Sequence, residues 1–193
     1  MQFREIEAKY DASEITLKNF TNLIKTKYKV NKRLLVSSYD DYFTDKDGNF
    51  LRYRHKEGRG ELTIKRKLDA NNNNKRVEVN LPTGGDSMEA VTQFSELLGY
   101  KHNFCVYKTC DVYWVERAFG TPDPMVICYY VVYDEEWKEQ RRFIEIEADE
   151  DKVWESEASA WSAVESYERD FESLGITSRN RLKKSLFEMF KRP

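Results

Sequence analysis

The stretch that decides the reading is Met1-Gln2-Phe3-Arg4-Glu5-Ile6-Glu7-Ala8-Lys9-Tyr10. As a β-strand it alternates faces, so Phe3, Glu5, Glu7 and Lys9 share one side while Arg4, Ile6, Ala8 and Tyr10 share the other. Two carboxylates at i and i+2 stand about 6–7 Å apart along one face. They repel one another unless a cation or a lysine sits between them. A solvated outer face explains one such strand. It does not explain a repeat, and Phe143-Ile144-Glu145-Ile146-Glu147-Ala148-Asp149 has the same design, with Glu145 and Glu147 on one face and Ile144, Ile146 and Ala148 on the other.

Between these two strands the pattern alternates sheet and helix. Ser13 is the expected cap of a helix carrying Leu17, Phe20, Ile24 and Tyr28 at helical spacing. A strand follows from about Arg33 to Phe43, then the hairpin turn Asp45-Lys46-Asp47-Gly48 and the strand Phe50 to His55, with Arg52 and Arg54 on one face. Glu57-Gly58-Arg59-Gly60 turns into Glu61 to Lys67, where Thr63, Lys65 and Lys67 share a face. The polar run Asp69 to Asn74 reads as a loop. Lys75 to Leu81 then places Arg76, Glu78 and Asn80 on one face, and Pro82 is expected to end that strand.

Asp86-Ser87-Met88-Glu89 resembles a capping box for a helix to Leu98, with Val91, Phe94 and Leu98 as its buried stripe and Gly99 as its stop. Strands are expected over Phe104 to Thr109, Val112 to Ala118 and Met125 to Tyr133, with Lys108 the charged residue of an apolar run. A helix from about Glu155 to Leu174 carries Trp161, Val164, Tyr167 and Phe171, and Gly175 stops it. A last helix is expected over Arg179 to Phe190.

A chain of 193 residues suits one domain with a core of its own. The 32 basic and 34 acidic residues leave a net charge of -2, which argues against a general nucleic-acid-binding surface driven by excess positive charge. Cys105, Cys110 and Cys128 show no C-x-x-C spacing and are read as reduced thiols of a cytoplasmic protein. His55 and His102 are the only histidines, and a zinc site built from His and Cys is not expected. No apolar run approaches the roughly 20 residues that span a membrane.

About eight short strands each have one apolar face, and at least five have a second face of ionisable groups: Glu5, Glu7 and Lys9; Arg52 and Arg54; Lys65 and Lys67; Arg76 and Glu78; Glu145 and Glu147. An open sheet with one wet face accommodates this. A merely wet face would, however, mix in Ser, Thr and Gln. Closing the strands into an antiparallel barrel with helices packed outside turns the charged faces inward and removes the edges. Such a lumen holds water, paired charges, or a charged ligand with metal ions, because an unpaired buried ion costs several kcal/mol.

Glu5-Ile6-Glu7-Ala8-Lys9 resembles the E-x-E-x-K signature of the CYTH superfamily, the triphosphate tunnel metalloenzymes, whose relatives include thiamine triphosphatase and class IV adenylyl cyclase. The resemblance continues in order through Asp40-Asp41-Tyr42-Phe43, Leu51 to Arg54, Leu62 to Lys65, Arg76-Val77-Glu78, Val106-Tyr107-Lys108, Phe143 to Glu147 and Lys183 to Phe187. It implies an α+β fold, a single tunnel domain over residues 1–193 built as an eight-stranded antiparallel barrel. It also implies a metal-dependent triphosphatase. A triphosphate carries about four negative charges, which Arg and Lys match with bidentate and point-charge contacts.

The resemblance assigns substrate binding to Lys9, Arg52, Arg54, Lys65, Arg76 and Lys108, with Lys183 on the last helix as a lid contact. Glu5, Glu7, Glu78, Glu145 and Glu147 are oxygen ligands suited to Mg²⁺ or Mn²⁺, and Asp134 resembles the family's extra acidic ligand. Glu78 and Lys9 are the catalytic candidates, Glu78 by placing water for in-line attack on the terminal phosphorus. Two departures stand out. Cys110 replaces an arginine common in the family, with Arg117 the candidate to compensate, and Leu186 replaces a tyrosine. Besides hydrolysis of inorganic, nucleoside or other organic triphosphate, the pattern admits a class IV-like adenylyl cyclase and a non-catalytic polyphosphate binder. The expected partner is a small-molecule triphosphate, with no membrane and no DNA, and the chain a monomer or homodimer.

Overall fold

The computed structural model describes residues 6–56, 58–67, 76–84, 87–117, 123–136, 138–149 and 152–192, with backbone alone at 65–67 and 76–78. The elements run β1 (Glu7–Asp11), α1 (Leu17–Lys27), β2 (Tyr28–Thr44), β3 (Phe50–Lys56), β4 (Arg59–Lys67), β5 (Arg76–Thr83), α2 (Met88–Leu97), β6 (Lys101–Arg117), β7 (Met125–Tyr133), β8 (Glu139–Ala148), α3 (Glu157–Asp170) and α4 (Leu186–Phe190). The eight strands form one sheet in the order β1-β8-β7-β6-β2-β3-β4-β5. The pairs β1–β8, β2–β3, β3–β4 and β4–β5 are antiparallel. The α+β class and the eight-stranded antiparallel sheet are thus as expected.

The barrel is not. The ladder has two ends, β1 and β5, and does not close. A physical reason lies at β1, whose outer edge is taken by the C-terminal segment. There Leu182 N–H donates to Lys9 C=O (2.7 Å), and Tyr10 bridges Arg181 antiparallel.

Compact packing divides the chain into two units: residues 1–36, 109–132 and 139–182 in the first, and 37–108, 133–138 and 183–193 in the second. In the first unit, α1 and α3 cover the apolar face of the strands. Ile6 with Ala8 and Tyr10 of β1, Tyr113 and Val115 of β6, Met125, Ile127 and Tyr129 of β7 and Ile144, Ile146 and Ala148 of β8 pack against Phe20 and Ile24 of α1 and Val164, Tyr167 and Phe171 beside them. Phe20 is fully buried, a contribution of about 2–3 kcal/mol. In the second unit, Phe43, Leu51 and Tyr53 pack under Val91 of α2.

Local chemistry corrects several boundaries. Thr16, not Ser13, caps α1, accepting from Asn19 N–H, while Ser13 is drawn to Asp11 (Oγ to Oδ1, 2.6 Å). The two strands expected over 104–118 are one, because Asp111 at their junction is neutralised by Arg33 (2.8 Å from both nitrogens) and accepts a hydrogen bond from the Tyr113 hydroxyl. Pro82 lies inside β5 rather than after it, tolerated because an end strand leaves one side without a ladder partner. On α2 the buried side is Val91 and Ser95, whereas Phe94 and Leu98 are about half exposed. The last expected helix is a 3₁₀ turn at Ser178–Asn180 and the short α4, which begins only at the Ser185 and Glu188 capping box. No described helix is long and apolar enough to cross a membrane.

Candidate functional site

Two clusters hold most of the expected site residues, one in each unit. In the first unit the β1–β8 register places Glu7 opposite Glu147 and Lys9 opposite Glu145, so all four share one face. The other face of β8 is the buried one, with Ile144 and Ile146 inaccessible. Lys9 Nζ lies 2.8 Å from Glu145 Oε1 and 3.6 Å from Glu7 Oε1, with the three side chains 12%, 21% and 27% exposed. Tyr130 of β7 donates its hydroxyl to the same Glu145 oxygen (2.9 Å). Its burial, and then the charges of Glu145 and Glu7, push its phenol well above the ordinary tyrosine range, so it keeps the proton that it donates to Glu145.

In the second unit the cations are organised by an acid. Asp40 is fully buried; Arg54 donates to both its oxygens (Nε to Oδ1 2.8 Å, Nη2 to Oδ2 3.0 Å) and Lys108 Nζ approaches Oδ2 at 2.7 Å. Burial alone would raise the Asp40 pKa, but Arg54 and Lys108 outweigh it and hold the carboxyl well below the ordinary range. Arg52 Nη2 donates to Thr63 Oγ1 (2.9 Å) and Glu61 Oε1 (3.5 Å), and Thr63 donates to Asn80 Oδ1 (2.8 Å). Among the described residues Arg52 Nε is buried with no hydrogen-bond partner. In the backbone register Phe50 pairs with Lys65, and Lys65 with Glu78.

The remaining expected residues divide. Glu5 lies outside the described residues, as do the side chains of Lys65, Arg76 and Glu78. Asp134 is engaged in a tight turn after β7, its Oδ1 accepting from Glu136 N–H (2.9 Å) and Lys138 N–H (3.0 Å). Lys183 is exposed and precedes α4 rather than lying on a helix. Arg117, the candidate to compensate for Cys110, is engaged with α3. Its Nη2 bonds Asp170 and Ser166 C=O (both 2.8 Å) while its guanidinium sits over Tyr167, anchoring α3.

Sequence reasoning missed Asp40 as a site residue, together with Tyr130, Thr63 and Asn80. A signal for Asp40 was present. The turn at Asp45 to Gly48 pairs Thr44 with Phe50, and counting outward from it places Asp40 opposite Arg54. It also missed that both histidines meet on one acid: His55 Nε2 donates to Asp41 Oδ2 (2.9 Å) and His102 Nε2 to Oδ1 (2.8 Å).

The donor set on the β1–β8 face is carboxylate oxygen, the chemistry that Mg²⁺ and Mn²⁺ accept. Among the described residues no three His, Cys, Asp or Glu side chains converge tightly enough to hold an ion. The same-sign pair Glu7 and Glu147 is nonetheless the arrangement that a divalent cation relieves.

No protein-family model matches the chain, and neither does any curated protein. Among solved structures it is similar to a conserved hypothetical protein from Pyrococcus furiosus, at 22% identity over 96% of this chain and 99% of that one, with a TM-score of 0.65. It is also similar to the PH1012 protein from Pyrococcus horikoshii OT3, at 19% identity over 95% and 98% with a TM-score of 0.65. The PH1819 protein of the same organism matches at 20% identity over 96% and 97%, with a TM-score of 0.62. Identities this low establish a shared fold and carry no activity.

Proposed function

We propose that this chain is a divalent-metal-dependent triphosphatase that removes the terminal phosphate of inorganic triphosphate or of an organic triphosphate. The observation that supports it most is the β1–β8 face, where Glu7 opposes Glu147 beside the Lys9–Glu145 pair. Like charges placed directly opposite destabilise a sheet by about 0.2–1 kcal/mol. Keeping them there makes sense where a cation is bound.

In this reading Glu7, Glu145 and Glu147, with Glu5, would hold Mg²⁺ or Mn²⁺, and the ion would supply positive charge to offset and polarise the phosphate oxygens. Lys9 limits the repulsion among the carboxylates in the empty enzyme and offers its ammonium to phosphate. Arg52 presents Nε, a buried donor awaiting an oxyanion, while Thr63 and Glu61 fix its guanidinium plane. Arg54 and Lys108 are pre-oriented by Asp40, so their charge is placed before substrate arrives. Glu78 orients water towards the terminal phosphorus. The water's new P–O bond forms as the bridging P–O bond breaks, and its protons pass to the departing phosphate oxygens or to solvent, releasing orthophosphate and either diphosphate or, from an organic triphosphate, the organic diphosphate.

The test is incubation with Mg²⁺ or Mn²⁺ and, separately, tripolyphosphate, ATP and thiamine triphosphate. Release of orthophosphate that is lost in Glu147→Gln supports the reading. Cyclic AMP with diphosphate from ATP would make the chain a cyclase instead, and binding without turnover would make it a binder.

A further inference from the structure

Lys9 is held from behind by groups that the proposed chemistry does not use. Its backbone C=O accepts from Leu182 N–H (2.7 Å), and the next residue, Tyr10, bridges Arg181. The Tyr10 side chain points away from Lys9 into the core, is fully buried, and donates its hydroxyl to Glu168 Oε2. Arg181 Nε donates to the same oxygen (2.6 Å), and its Nη2 reaches Glu165 Oε1 (3.5 Å). Glu168 belongs to α3 and is 6% exposed.

We propose that Tyr10, Glu168 and Arg181 form a positioning clamp for Lys9, setting the height and register of β1 against β8. The inference rests on the triphosphatase reading and extends it to three residues that touch no substrate. Two arguments carry it. A buried carboxylate is an expensive way to fasten a helix to a strand, because apolar residues of similar volume do so at equal or lower cost. What the carboxylate adds is directionality: one register of β1 alone brings the Tyr10 hydroxyl to Glu168, and a slip by one residue would turn Glu7 and Lys9 into the core. The site face, moreover, demands that accuracy. Lys9 is 2.8 Å from one carboxylate and 3.6 Å from another, and a displacement of about 1 Å in such a constellation costs on the order of a hundredfold in rate.

The experiment uses the full chain with Arg181→Ala, Arg181→Lys and Glu168→Gln, each assayed well below its own unfolding midpoint. One arm measures kcat and KM for tripolyphosphate with Mn²⁺. The other needs no turnover: amine acylation at Lys9, read by peptide mass spectrometry against the exposed Lys138. The expected result is a fall in kcat of about tenfold or more in Arg181→Ala and Glu168→Gln with KM within about twofold, and a rise in Lys9 labelling of about fivefold or more. Arg181→Lys should recover most of both. Lys9 labelling within about twofold of wild type in Arg181→Ala and Glu168→Gln overturns the clamp whatever the activity. Raised labelling with unchanged kcat overturns its positioning role. A wild-type chain that hydrolyses no triphosphate removes the proposed function, and the labelling arm then decides the clamp alone.

Discussion

Lys108 Nζ lies 2.7 Å from Asp40 Oδ2, with the lysine side chain 7% exposed and the aspartate fully enclosed. Both ions have left water, so their mutual attraction and the Arg54 fork are what offset the desolvation. Breaking such a set from one side leaves uncompensated charge. Asp40→Asn is expected to cost about 3–5 kcal/mol, read as a lower urea midpoint at unchanged slope. A loss below about 1 kcal/mol would place the pair in the energetic class of a surface ion pair.

Asp41, one residue away on the opposite face of β2, makes stability depend on pH. Burial alone would raise its pKa, but hydrogen bonds from His102 and His55 outweigh that and lower it from the ordinary 3.8. A carboxyl depressed in the folded state contributes stability above its unfolded pKa, and the contribution is lost as pH falls through the folded value. The gap between wild type and Asp41→Asn should therefore be full at about pH 6 and clearly smaller at about pH 2.5, below the ordinary 3.8. Urea titrations at the two pH values measure it. A gap of constant size would show that the two histidines do not stabilise the charged form.

The alternation of charged and apolar residues made the strands of the site readable in advance, since Glu7, Lys9, Glu145 and Glu147 needed only period-2 counting to fall on one face. What periodicity could not supply was partnership across the sheet. Arg54 and Lys108 read as two independent cations until the register brings Asp40 to both and shows one buried acid holding them in place. The same blindness affected α2, where Phe94 and Leu98 share a helical stripe with Val91 and yet only Val91 has strands beneath it. Closure was unreadable for a different reason. Whether a sheet becomes a barrel depends on what occupies its end strands, and Leu182 reaches Lys9 from the far end of the chain.

Gly60 tests close packing rather than charge. It pairs with His55 across β3 and β4, and a Cβ there would stand 2.3 Å from Thr83 Oγ1, 2.5 Å from the Tyr53 hydroxyl and 2.7 Å from its ring. Tyr53 is 1% exposed and has little room to retreat. Gly60→Ala should cost about 1–3 kcal/mol through overpacking, although alanine in a strand is otherwise tolerated. Thermal unfolding checks it, and Gly84→Ala, where an added Cβ meets nothing within 4 Å, serves as the comparison. Equal effects at the two positions would mean that Tyr53 moves freely.

The last prediction separates the two roles of the opposed carboxylates. In chelator, Glu147→Gln removes half of a like-charge pair from the β1–β8 face and should stabilise the chain by about 0.2–1 kcal/mol. With Mn²⁺ the order should reverse. An ion bound only to the folded state at a hundred times its dissociation constant adds about 2.7 kcal/mol, and wild type should gain this while the variant gains little. Calorimetry across a Mn²⁺ series reads both effects in one experiment, independently of any substrate. Equal stabilisation of the two proteins would place the ion away from Glu147, whereas a variant less stable than wild type even in chelator would make Glu147 a partner of Lys9 rather than a rival of Glu7.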